Sequence, residues 1–228
     1  ELHPLRPEDL RQALALWPEL ASEAEQLLTQ YPALVPGWHR LLFPDAGISL
    51  TLLLGPAEAL LPELVAGVDA WFLDGFAPDR NPGLWQLDIL KHLGRLARPG
   101  CTAATYTSAG AVRRALAAQG FQVERVKGYG RKREMLVAEH PPSSPDSQRH
   151  RVPRPGRRVL VVGAGIAGVS CARSLALRGW QVVLADQAGG PGSAASGNPA
   201  AIIYPKLAPP HLSAWHFQQQ GYLWLLQQ

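Results

Sequence analysis

Only two cysteines occur in the 228 residues, Cys101 and Cys171. That excludes a disulfide framework and a cysteine-rich metal site. No charged-apolar-small leader opens the chain, and no apolar run is long and clean enough for a membrane span. The nearest approach, residues 159–177, is interrupted by Gly163, Gly165, Gly168, Ser170 and Arg173. These absences lead us to expect a cytoplasmic protein with no metal and no membrane partner. Net charge is scarce too. The formal +4 comes from 22 basic against 18 acidic residues, and residues 141–158 alone hold five arginines and one acid (Asp146). The rest of the chain is neutral overall. The basicity therefore belongs to one segment, a solvated linker or a tether for a polyanion.

What is present centres on Arg158-Val159-Leu160-Val161-Val162-Gly163-Ala164-Gly165-Ile166-Ala167-Gly168. A run rich in β-branched residues enters Gly-x-Gly-x-x-Gly and a helical pattern follows, which is the dinucleotide-binding fingerprint. Gly163 permits the turn, Gly165 lets backbone N–H groups approach a pyrophosphate, and Gly168 lets the helix pack on the strand. The helix N-terminus then faces the phosphates. Gln181-Val182-Val183-Leu184-Ala185-Asp186 reads as a second strand. Asp186 stands about 20 residues on, where a carboxylate reads the adenosine ribose. The small-residue stretch Gly189–Asn198 lets a bulky ligand lie against backbone.

Upstream, residues 8–30 carry Leu10, Ala13, Leu14, Trp17, Leu20, Ala21, Ala24 and Leu27 at helical spacing, broken at Pro18. Two helices are expected, with the Trp and Leu stripe in a core. Residues 38–54 read as a strand or hairpin, and 57–66 as a short helix. Val68–Asp74 reads as a buried strand ending in an acid, followed by a Gly/Pro-rich loop. Leu84–Leu96 is an amphipathic helix, and 101–107 a strand. Ser108 is expected to cap a helix ending at Gly120. Residues 121–139 form an antiparallel pair with Lys127-Gly128-Tyr129-Gly130-Arg131-Lys132-Arg133 at the bend. Ile202–Pro205 suggests a short strand, and 211–228 the start of a helix. The alternation implies an α/β fold. Ligands of open α/β sheets sit outside the carboxyl ends of strands, so Asp74 is a site by position or else a loop-capping acid. The basic bend is either phosphate-positioning or a solvated hairpin.

Asp69-Ala70-Trp71-Phe72-Leu73-Asp74-Gly75-Phe76-Ala77-Pro78, with Asn81-Pro82 and Trp85, resembles the methyltransferase domain of the bifunctional tRNA 5-methylaminomethyl-2-thiouridine biosynthesis family. Ala97-Arg98-Pro99-Gly100, Thr105–Gly110, Val112-Arg113-Arg114 and Lys127–Leu136 agree with it. The downstream half resembles that family's FAD-dependent oxidase domain, including Ala195-Ser196-Gly197-Asn198 and Tyr204-Pro205. The resemblance implies a partial Rossmann-like methyltransferase domain over 1–140, a Pro/Ser/Arg-rich linker over 141–157 and a partial FAD-binding Rossmann-type domain from 158 to 228. It also implies FAD and S-adenosyl-L-methionine as cofactors and tRNA as partner. Asp74 would be catalytic, orienting an amine or taking its proton, with Phe76 and Pro78 walling its pocket. Lys127, Arg131, Lys132 and Arg133 would hold tRNA. Glu1 would bind the adenosylmethionine ribose. Gly163, Gly165, Gly168, Asp186, Ser196, Gly197 and Asn198 would bind FAD.

Three departures stand out. The family's acid after its third strand is Pro56 here, the second glycine of its Pro-Gly-Gly is Cys101, and its first-strand glycine motif is absent. We therefore expect a fragment of a longer protein that does not methylate by itself. Two other readings remain open at this point, a non-catalytic tRNA-docking module and an unrelated flavin amine oxidase with a degenerate first half.

Overall fold

The computed structural model describes residues 1–78, 80, 83–141, 158–205 and 213–226. Two compact units emerge, Glu1–Gly55 with Arg154–Gln228, and Pro56–Pro153. Most of the linker expected at 141–157 lies outside the described residues.

In the first unit α1 (Pro7–Leu14) starts on a proline with Glu8 and Asp9 in its first turn, where the missing N–H costs nothing and acids meet the positive helix end. Pro18 breaks the pattern, and after a 3-10 turn α2 (Ala21–Gln30) follows. The expected core stripe needs correction. Leu10, Leu14 and Leu27 are half-buried, but Trp17 and Leu20 are 48% and 50% exposed. Both sit at the corner that Pro18 makes, so they miss the face the two helices share. β1 (Gly37–Phe43) and β2 (Ile48–Leu54) form an antiparallel hairpin with Leu41 and Leu54 buried. β7 (Arg158–Val162) and β8 (Gln181–Ala185) pair in parallel. Parallel partners need a crossover, and α6 (Ile166–Ala176) supplies it. α7 spans Ser213–Leu225. Residues 202–205 are not a strand, and Ile202, Ile203 and Tyr204 are exposed. Their β-propensity finds no ladder, and pairing rather than propensity makes a strand.

The second unit opens with α3, which stops at Ala57–Leu60 instead of reaching residue 66. Pro62 has no N–H to continue it. Its sheet runs in the order β3 (Val68–Phe72), β4 (Ala97–Thr105), β6 (Glu134–Glu139), β5 (Gln122–Lys127). β3 and β4 are parallel, joined through α4 (Leu87–Leu96), and the remaining pairs are antiparallel. α5 spans Gly110–Ala118. The core gathers Leu90 and Leu93 of α4, Val112 and Leu116 of α5, and Leu136 of β6. Cys101, where the resembling family has glycine, is fully buried in that core, and burial pushes its thiol pKa up. β3 is not the buried strand expected. As an edge strand it turns Trp71 and Leu73 toward the core and leaves Phe72 86% exposed. Nor does Ser108 cap α5. Ala109 holds the N-cap position, and its N–H donates to Thr107 Oγ1 at 3.2 Å.

Leu136 is wholly buried and sits in the sheet between β4 and β5. Leu136→Ala is expected to lower unfolding stability by about 2–5 kcal/mol, the usual cost of a leucine-sized core deletion. Chemical denaturation measures this, and a loss under about 1 kcal/mol would contradict the core assignment.

Candidate functional site

β3 ends at Phe72, and one more bond, Leu73 N–H to the Ala104 carbonyl at 2.9 Å, continues its pairing with β4. Asp74 is therefore the first residue released beyond the strand end, and it is exposed. The loop that follows is tied twice. The Tyr106 hydroxyl donates to the Gly75 carbonyl at 2.6 Å, and Trp85 Nε1–H donates to the Phe76 carbonyl at 2.6 Å. A Cβ on Gly75 would stand 3.1 Å from the Trp85 ring. Glycine there allows a closer approach than most side chains tolerate.

The bend between β5 and β6 comes to the same place. Gly128 N–H donates to the Arg133 carbonyl and Lys132 N–H to the Tyr129 carbonyl, both at 3.1 Å. Lys132 Nζ lies 5.1 Å from the centroid of the Tyr106 ring, within cation–π range. Asp74, Phe72, Tyr106, Tyr129, Lys132 and Met135 line one open cavity of about 380 Å³. A neighbouring cavity of about 450 Å³ takes Pro78, Tyr106, Lys132 and Arg133 into its wall. A carboxylate, an ammonium group and aromatic rings thus meet at one strand end. That set can hold a polar, partly aromatic substrate and receive a proton from it.

Of the residues singled out in the sequence, Asp74, Pro78, Lys132 and Arg133 come together here. Phe76 does not, since its ring is 74% exposed and lines neither cavity. Lys127 and Arg131 are exposed on the bend, outside both linings. Asn81 and Pro82 lie outside the described residues. Tyr106 and Tyr129 received no role from the sequence. A tyrosine amid basic residues at a hairpin bend was the available signal for Tyr129. Glu1 belongs to the first unit, where its carbonyl accepts the Gly55 N–H at 2.9 Å, beside the end of β2. Pro56 stands at the N-cap of α3 and offers no acid.

The glycine turn of the first unit is built as its fingerprint requires. Gly163 has φ +99°, which L side chains rarely adopt. A Cβ on Gly168 would overlap the Gly163 carbonyl oxygen. Gly165 is the N-cap of α6. The Asp186 carboxylate accepts N–H bonds from Ala164 at 2.6 Å and Ala188 at 2.8 Å. Those bonds hold its pKa below the usual carboxylate range. Further acceptor positions on the two oxygens are left for a ribose hydroxyl. Ser196 Oγ accepts the Ile166 N–H at 3.0 Å, in the first turn of α6, and Gly192 N–H donates to the Ala164 carbonyl at 2.9 Å. The small-residue loop thus folds over the turn. Gly197 packs against the Gly192 carbonyl, and Asn198 Nδ2 donates to the Ala195 carbonyl at 3.1 Å. The strand, turn, helix dipole and acid fit a dinucleotide. Among the described residues no helix is long and apolar enough to cross a membrane, and no group of three or more His, Cys, Asp or Glu is placed to hold a metal.

Comparison with known proteins agrees with both halves. Residues 18–141 match the S-adenosyl-L-methionine-dependent methyltransferase family, and residues 158–228 match the FAD dependent oxidoreductase family. The chain is similar to proteins named tRNA 5-methylaminomethyl-2-thiouridine biosynthesis bifunctional protein MnmC. That of Chromobacterium violaceum is 49% identical over 93% of this chain and 33% of its own length. That of Pseudomonas paraeruginosa is 52% identical over 91% and 33%. That of Methylobacillus flagellatus is 46% identical over 98% and 34%. The chain thus spans about a third of the length of these relatives. A crystal structure of MNMC2 from Aquifex aeolicus is 36% identical over 42% of this chain and 33% of that one, with a TM-score of 0.38.

The pKa of Asp186 is depressed on folding, so the stability it contributes is present above the unfolded value near pH 4 and is lost as pH falls through the folded value. Asp186→Asn is expected to flatten that part of the acid dependence. Denaturant midpoints from about pH 5 down to about pH 2 test this; parallel curves for the two proteins would contradict it.

Proposed function

The chain belongs to the S-adenosyl-L-methionine-dependent methyltransferase family over residues 18–141, and on that premise we propose that it serves a bifunctional enzyme modifying the wobble uridine of tRNA. In the first step the carboxymethyl group is removed oxidatively from 5-carboxymethylaminomethyl-2-thiouridine, leaving the 5-aminomethyl form. In the second that amine is methylated to 5-methylaminomethyl-2-thiouridine. The names of the relatives and the order of the two matched families support this reading. The same matches support a methyltransferase domain over 1–140, a linker over 141–157 and an oxidoreductase domain over 158–228. Cytoplasm, where tRNA is modified, is the matching compartment.

FAD, when bound, supplies the two-electron oxidation of the amine side chain. This chain's part is to hold it. Gly163, Gly165 and Gly168 let the turn close on a pyrophosphate at the N-terminus of α6, and Asp186 accepts from the ribose. Ser196, Gly197 and Asn198 bring a loop of small residues against it.

S-adenosyl-L-methionine supplies an electrophilic methyl group, and Glu1 is assigned to its ribose. The amine reacts only as the free base, so it must be held with its lone pair free. Asp74 accepts a hydrogen bond from the amine and so aims its lone pair. The Asp74 carboxylate, or water, would take the proton that the nitrogen gives up on methylation. Tyr106 fixes the loop behind Asp74 through the Gly75 carbonyl. Lys127, Arg131, Lys132 and Arg133 position tRNA phosphates, and Pro78 walls the site.

The observation that carries the proposal is Asp74 released at a strand end into a cavity shared with a basic hairpin bend. Asp74→Ala, made in the protein at the length of its relatives, is expected to cut methyl transfer from labelled adenosylmethionine into aminomethyl-tRNA by about 100-fold or more. Its tRNA affinity should stay close to that of the parent. Unchanged methyl transfer would remove Asp74 from the mechanism.

A further inference from the structure

Tyr129 is 94% exposed, more than any other large hydrophobic side chain among the described residues. Free display of such a ring is unusual, and the backbone beneath it is not loose. Two hydrogen bonds close the bend, Gly128 to Arg133 and Lys132 to Tyr129. Gly130 takes φ +59°, and a Cβ on Gly128 would stand 2.7 Å from the Lys132 carbonyl oxygen. The turn is built to carry residue 129 at its tip. That ring lines the same cavity as Asp74. Around it Lys127, Arg131, Lys132 and Arg133 are exposed, while the nearby acid Glu134 is paired with Arg125 at 3.3 Å.

An exposed ring among four exposed cations is the kind of surface that single-stranded nucleic acid selects. Phosphates meet the cations and an unstacked base meets the ring. A base held inside a stacked loop cannot bring its substituent to the Asp74 carboxylate, so it must be drawn out, and a ring lining the same cavity repays the lost stacking. We propose that Tyr129 is the stacking platform for the nucleobase whose side chain Asp74 receives. The occupant is an unpaired pyrimidine of a single-stranded RNA loop. This role rests on the tRNA reading above.

The test uses fluorescence anisotropy with a labelled tRNA hairpin carrying 5-aminomethyl-2-thiouridine, and the same hairpin with an abasic nucleotide at that position. Tyr129→Ala is expected to weaken binding of the base-bearing hairpin by about tenfold, in the range found for loss of one stacked base. Tyr129→Phe, which keeps the ring, restores it. The salt dependence of binding stays the same, because no phosphate contact is removed. On the abasic hairpin the parent and Tyr129→Ala bind alike. Equal affinities on the base-bearing hairpin, or an equal loss on the abasic one, overturn the role of Tyr129 while leaving the tRNA reading standing. Weakened binding of S-adenosylhomocysteine in place of RNA also overturns it, assigning the ring to the adenine of the methyl donor. Failure of the parent protein to bind either hairpin overturns the tRNA reading and this role together.

Discussion

The parallel pairing of β3 with β4 is the constraint on which the second unit depends. It requires a crossover, and α4 provides that crossover and, through Leu90 and Leu93, part of the core. It also sets where the two strands run out. Asp74 leaves one strand end as Tyr106 leaves the other, and the Tyr106 hydroxyl then reaches the Gly75 carbonyl at 2.6 Å. A slip of one residue in this ladder would exchange the faces of the strand. Asp74 would move out of the cavity and Trp71 out of the core. The hairpin of β5 and β6 joins through β6, whose pairing with β4 brings Lys132 and Tyr129 alongside.

The glycine turn of the first unit shows how a cofactor site is kept ready. Backbone donors at the start of α6 would be costly to leave without partners. Ser196 takes one from Ile166, and Asp186 takes one from Ala164. Both side chains belong to segments assigned to the cofactor. The same groups therefore hold the turn and stand where phosphates and ribose are expected.

Much of this was legible in the sequence, for physical reasons that can be named. Gly163 and Gly168 mark a positive φ and a contact too close for a Cβ, and both demands fall on glycine alone. Alternation and turn residues marked the antiparallel pair within 121–139 and left 38–54 open between a strand and a hairpin. The edge position of β3 was hidden, because a short apolar run reads the same at the edge of a sheet as at its centre. Helical spacing placed Trp17 and Leu20 on a stripe but carried no record of the corner at Pro18. The Tyr106 contact spans 31 residues and the Ser196 contact 30. Neither can be read from local pattern, since only the folded topology brings those residues together. Phe76 followed from resemblance, and its exposed ring shows how a motif can fix the backbone without fixing the side chain.

The central proposal is that this chain serves the machinery that turns the carboxymethylaminomethyl group of a tRNA uridine into the methylaminomethyl group. Nucleoside mass spectrometry of tRNA from cells lacking its gene tests this most directly. The account predicts accumulation of 5-carboxymethylaminomethyl-2-thiouridine and loss of 5-methylaminomethyl-2-thiouridine. A nucleoside profile identical to that of the parent cells would contradict it.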